Sequence, residues 1–94
     1  MTIKKLTKMP YAQAHVEIHE NGYIALYSYV TLVAEIVGGW LIVRGLHSQT
    51  TRRHIGAFCK EYANCDYQTA KQIYSDGYKM DIHTGEIVPL EIGE

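Results

Sequence analysis

Apolar and polar positions alternate with a period of two through the first half of the chain. In residues 14–20, AHVEIHE, Val16 and Ile18 point one way and Glu17 and His19 the other, which predicts a half-buried strand. Asn21-Gly22 follows, a strong hairpin signal because both residues tolerate positive φ. The return strand is predicted over residues 23–30. Tyr23, Ala25, Tyr27 and Tyr29 share one face of it, and Ile24, Leu26, Ser28 and Val30 the other. Residues 31–37 continue the β-branched run, either as the same strand with a bend or as a new one. Gly38-Gly39 reads as a two-residue hairpin turn, and residues 40–43 return from it. Arg44 stays on that strand, and Gly45 is a bulge or exit.

The period then changes. Ser48 or Thr50 can cap a helix. Beyond them Ile55, Phe58, Cys59, Tyr62 and Ala63 fall at helical spacing and form one apolar stripe. Gly56 weakens this helix by about 1 kcal/mol relative to Ala and points to close packing against the sheet. Asn64-Cys65-Asp66 breaks it. Asp66 caps a second helix over residues 67–75, with Tyr67, Ala70, Ile73 and Tyr74 inward and Gly77 as a left-handed stop. Residues 78–82, the turn His83-Thr84-Gly85 and residues 86–90 read as a C-terminal hairpin, with Pro89 at an edge or at the strand's end. Residues 1–10 read as a lead-in whose lysines stay in water while Ile3, Leu6 and Met9 can touch the body. The expected architecture is one α+β domain: an antiparallel β-meander over 14–44, two short helices over 49–76, and a C-terminal β-hairpin over 78–90.

Composition narrows the class. At 94 residues there is room for one modest core, and 47% hydrophobic content is too high for a disordered chain. The apolar run 29–43 is interrupted by Glu35 and Gly38-Gly39, short of the roughly 20 residues that span a bilayer. No apolar segment follows Lys4, Lys5 and Lys8, so no secretory signal is expected. Two cysteines are too few for a disulfide framework. The expectation is a reduced, cytoplasmic protein without a membrane partner.

Net charge is −1, which argues against a globally basic nucleic-acid binder, but the charge is segregated. Residues 1–8 carry +3, 9–43 carry −3, 44–60 carry +4 and 61–94 carry −5. Arg44, Arg52, Arg53 and Lys60 make up the internal basic stretch.

The block Tyr27-Ser28-Tyr29-Val30-Thr31-Leu32-Val33-Ala34, followed by Gly45 and by Ser48-Gln49-Thr50-Thr51-Arg52-Arg53-His54-Ile55, resembles a group of short uncharacterised proteins of phages and other mobile elements of Gram-positive bacteria. Their shared pattern is similar to Y-S-Y-x-T-x-V-A, a hairpin, then S-x-T-T-x-x-H-I, and the resemblance covers roughly residues 24–63. It brings no catalytic residues. What it implies is context: a small accessory protein of a mobile element, among which inhibitors of host defence, anti-CRISPR proteins included, are found. The motif reads first as structural. Ser48, Thr50 and Thr51 satisfy an open helix end, and the His54 ring is placed to hydrogen-bond the preceding loop.

No residue set makes an enzyme signature, and no cofactor or metal is expected. His15 and His19 would share a strand face about 13 Å apart at roughly 3.3 Å per residue, too far for one ion. Cys59-x5-Cys65 lacks zinc spacing. Cys59 lies on the core stripe, where thiols are inert, and about 500° of helix rotation separates it from His54. The leading expectation is stoichiometric contact with a host protein, such as a nucleic-acid-processing defence effector. The candidate contacts are Tyr27 and Tyr29, the basic group Arg44, Arg52, Arg53 and His54, and the acidic group Asp76, Asp81 and Glu86. The acidic group, extended by Glu91 and Glu94, could occupy a basic channel by mimicking phosphate. An exposed edge strand would also allow a homodimer. The alternative is a small DNA- or RNA-binding accessory protein. It would use a helix-turn-helix-like pair, reading bases with Gln68, Thr69, Lys71 and Gln72, or the tyrosine-bearing sheet.

Overall fold

Alternation decides which side of each strand is buried, and the helices then choose that side. A computed structural model describes residues 1–90; Glu91 and Glu94 lie outside the described residues. The strands are β1 (Thr2–Lys4), β2 (Ala14–Ile18), β3 (Ile24–Ser28), β4 (Thr31–Val37), β5 (Trp40–Val43), β6 (Tyr78–Asp81) and β7 (Ile87–Pro89). They form one seven-stranded sheet in chain order with every neighbouring pair antiparallel. Helices α1 (Gln49–Phe58) and α2 (Tyr67–Asp76), joined by a π-helical turn (Cys59–Ala63), are inserted between β5 and β6. The α+β reading therefore holds, with a five-stranded meander, two helices and a terminal strand pair.

Both helices lie on one face of the sheet, α1 over β3 and β4 and α2 over β5 and β6. Val16, Leu26, Ala34, Ile36, Leu41 and Met80 meet Ile55, Phe58, Ala63, Ala70 and Ile73 there. Leu6 joins them fully buried, and burying it contributes about 2 kcal/mol. Leu6 and Met9 of the lead-in thus touch the body as expected. Residues 1–10 supply an edge strand and a core side chain.

Several local expectations change. The loop after β2 is not a two-residue Asn-Gly turn. The His19 amide donates to the Tyr23 carbonyl, only Gly22 has positive φ, and Asn21 Oδ1 accepts from the Tyr23 amide. Three residues, Glu20 to Gly22, span the turn, with the left-handed residue last.

The predicted 23–30 strand stops at Ser28. Tyr29 has φ of 58°, and Tyr29-Val30 turns the chain back so that Ser28 faces Thr31. Tyr27 and Tyr29 therefore do not share a strand face. A bulge beside Leu26 and Tyr27 leaves Val33 unopposed and restores the register of β4. Gly38-Gly39, by contrast, is the expected tight turn, with both φ positive and Val37 opposite Trp40.

Ser48 caps α1 by accepting from the Thr51 amide. Asn64, left-handed at φ of 55°, stops the π-helical turn, and Asp66 then caps α2 by accepting from the Thr69 amide. Both sheet edges are blunted. β1 is three residues long and carries Lys4, and β7 carries Pro89, features that oppose strand addition by a second copy.

Candidate functional site

The basic residues that the sequence groups together separate in space. Arg44 lies on the sheet face away from the helices, where its Nε donates to Glu35 Oε2. Tyr23 donates its hydroxyl to the other oxygen of the same carboxylate at 2.6 Å. Burial, followed by this hydrogen bond to Glu35, pushes the Tyr23 phenol well above its usual range. Arg44 is thus committed to holding Glu35, which is 6% exposed.

Arg52, Arg53 and Lys60 stay together and acquire two partners from elsewhere. They line a groove of about 910 Å³ between α1 and α2, joined by Lys71 of α2 and Lys8 of the β1–β2 segment. Helical spacing puts Arg53, Ala57 and Lys60 on one side of α1 and its continuation, while Tyr67 and Lys71 do the same on α2. Lys8 is delivered by Thr7, whose amide and hydroxyl both donate to the Glu61 carboxylate at 2.9 and 2.7 Å. Burial alone would raise the Glu61 carboxyl. The two bonds from Thr7 outweigh it and hold the pKa below the usual value.

Gly56 sets the width of the groove floor. A Cβ there would stand 3.3 Å from Tyr67 Cβ, so the glycine permits close approach to α2 rather than to the sheet. Asp66 is the one carboxylate lining the groove. It is engaged as the cap of α2, and the Thr69 amide and hydroxyl hold its pKa below the carboxylate range. Five cations against one engaged acid make this concave surface strongly positive.

The tyrosine, histidine and acidic candidates lie elsewhere. His54 is in the core at 1% exposure, with Nδ1 2.8 Å from Ser28 Oγ, so its ring is removed from the surface expected for a contact. Tyr29 is half-exposed at the β3–β4 turn, with its ring 6.2 Å from that of His54. Tyr27 is on the uncovered sheet face, stacked on His15 at 5.0 Å. His15 and His19 flank Glu17, their Nε2 atoms 3.7 and 3.5 Å from its two oxygens. Among the described residues no group of three or more His, Cys, Asp or Glu is placed to hold a metal ion. No helix among them is long and apolar enough to cross a membrane.

Asp81 closes the last hairpin by accepting from the His83 and Thr84 amides at 2.8 and 3.2 Å, bonds that lower its pKa. Asp76 ends α2, and Glu86 precedes β7. Cys59 is buried, and a hydrogen bond shared with Cys65, together with that burial, pushes its thiol up, while the same bond lowers that of Cys65.

Sequence reasoning missed Lys8, Lys71 and Tyr67 as groove residues. Lys71 was legible in principle, since it lies four residues after Tyr67 on the flank of the helix that avoids Ala70 and Ile73. Lys8 was not, because only the Thr7–Glu61 contact, 54 residues apart in sequence, brings it there.

A family profile matches residues 1–77. The chain belongs to DUF8033. This is a family of unknown function, and the matched stretch contains every residue lining the groove while ending before the β6–β7 hairpin. No curated protein and no solved structure matches the chain.

Proposed function

We propose that this DUF8033 protein is a small accessory binding protein, of the kind mobile elements carry, whose working surface is the groove between α1 and α2 and whose partner is nucleic acid. The observation that carries this reading is the convergence of Lys8, Arg52, Arg53, Lys60 and Lys71 on one concave surface in a chain of net charge −1. Such concentration supplies the local field that phosphate contacts require, and a global excess of charge is not needed for it. The protein acts by occupancy, without catalysis.

The test is binding as a function of salt. Five phosphate contacts give a slope of log K against log salt of about −3.5 for a single strand or about −4.5 for a duplex. Arg53→Glu should weaken binding and flatten the slope. Binding that ignores both salt and Arg53→Glu would overturn the reading.

A second reading has its own support. The uncovered sheet face carries Tyr23, Tyr27 and Trp40, with Ile3 and Val37 exposed beside them and Lys79 over the Trp40 ring at 5.0 Å. Aromatic side chains of this kind anchor protein contacts. Stoichiometric inhibition of a host defence protein, an anti-CRISPR activity included, would use this face. A nuclease-treated pull-down that retains one discrete partner, lost with Trp40→Ala, would favour it.

A further inference from the structure

We infer that the groove accepts a single unpaired strand of nucleic acid rather than a duplex, with phosphates on the basic rim and bases against the floor. The inference rests on the nucleic-acid reading above and adds the strand state.

The first argument is shape. The site is a cleft between two helices, of the size that takes in a small ligand. Duplex DNA admits a protruding helix into its major groove and has no comparable projection to enter a cleft. An unpaired strand does, because each base can leave the stack and turn inward.

The second argument is the lining. Met9, Gly56, Ala57 and Tyr67 line the groove alongside the cations. A basic track beside an apolar and aromatic surface is the chemistry that holds single strands without reading sequence.

The rival duplex mode would insert α2. The outward side of that helix, with Gln68, Thr69 and Gln72, forms a smaller depression of about 400 Å³ that also includes Asp66 and Asp76. Those carboxylates bracket the residues that would read base edges and repel the flanking phosphates. Lys71 is the one cation lining that side.

The experiment is fluorescence anisotropy on the full chain with labelled oligo(dT) of about twelve nucleotides, the matching duplex, and polyglutamate of similar charge. The single strand should bind about tenfold or more tighter than either of the others. Lys71→Glu and Arg53→Glu, both at exposed positions, should each weaken it severalfold. A duplex that binds as well as the single strand overturns the strand-state inference and leaves the nucleic-acid reading standing. Polyglutamate that binds as tightly as DNA, or no binding by any probe, overturns both.

Discussion

Ser28 Oγ lies 2.8 Å from Nδ1 of His54 and 3.0 Å from Oγ1 of Thr51, and all three residues are buried. The contact ties the end of β3 to the second turn of α1 across 26 residues of sequence. Ser48, the α1 cap, extends it by donating to Thr51 Oγ1 at 3.2 Å. The polar residues of the Y-S-Y and S-x-T-T-x-x-H-I segments thus meet at one point, where they fix the helix on the sheet. Ser28→Ala would leave the Nδ1 of His54 and the hydroxyl of Thr51 short of a partner in the core. The expected loss is about 1–3 kcal/mol, or about 4–8 °C in Tm per kcal/mol for a domain of this size. Thermal unfolding followed by circular dichroism checks this, and an unchanged Tm would remove the contact from the determinants of the fold.

Acid should destabilise the protein in two steps. Burial lowers the His54 pKa below 6.5, so the folded state keeps the ring neutral. At and above pH 6.5 this preference is harmless. Below it, the unfolded chain takes up a proton that the folded chain refuses, and stability falls until the folded pKa is passed. Glu61 adds a lower step. Its folded pKa lies below 4.5, so its contribution is present above that value and disappears as pH drops through the folded pKa. Urea unfolding across pH reads both. His54→Gln should abolish the upper step and leave the lower one, whereas Glu61→Gln should shrink the lower step, which Asp66 and Asp81 share because their pKa values are also lowered in the fold, and leave the upper one.

Arg44 belongs to stability rather than binding. Removing it leaves the Glu35 carboxylate, 6% exposed, with the Tyr23 hydroxyl and without its cation. Because Arg44 is partly in water, the cost falls below that of a fully buried pair, at about 2–3 kcal/mol. Arg44→Ala should therefore lower the unfolding free energy measured by urea titration by that amount. At a temperature where it remains folded, it should bind oligonucleotide as the parent does. A loss of affinity without a loss of stability would place Arg44 in the interface.

Periodicity carried much of the architecture because the sheet has one covered face, and in β2 the inward Val16 and the outward Glu17 differ in kind, whereas all four residues of β5 are apolar and its sides are not told apart by pattern. It failed where a turn lacked the usual residues. Tyr29 adopts a left-handed backbone that composition disfavours, held by its amide donating to the Gln13 carbonyl at 2.7 Å. The basic residues were legible as a run but not as a surface. Arg44 and Arg52 are eight apart in sequence, yet the sheet separates them, since one follows the outward side of β5 and the other heads a helix on the opposite face. His54 carried a mixed signal. Its place in the first turns of α1 suggested an accessible ring, but it sits one residue before Ile55 and four before Phe58, on the inward side of the helix.

Gly56 offers a test that couples the helices to the groove. Adding a methyl group there brings two opposed effects. Helix propensity improves by about 1 kcal/mol, while the new Cβ meets Tyr67 Cβ at 3.3 Å, a separation that only a small shift of α2 can relieve. Because Tyr67 Cβ is fixed by the α2 backbone, no rotamer change can relieve the contact. Gly56→Ala should therefore change stability by less than about 1 kcal/mol, with the propensity gain and the contact strain offsetting each other. Gly56→Leu has no such balance. Its side chain must either wedge α1 from α2 or fill the floor of the groove. Wedging would lower stability by about 1–3 kcal/mol, the range for overpacking. Filling would leave stability near the parent's and abolish oligonucleotide binding. Measuring the urea midpoint and anisotropy on the same preparation separates these outcomes. A Gly56→Leu protein that is as stable as the parent and binds as well would mean that the space beside Gly56 is not where the ligand lies.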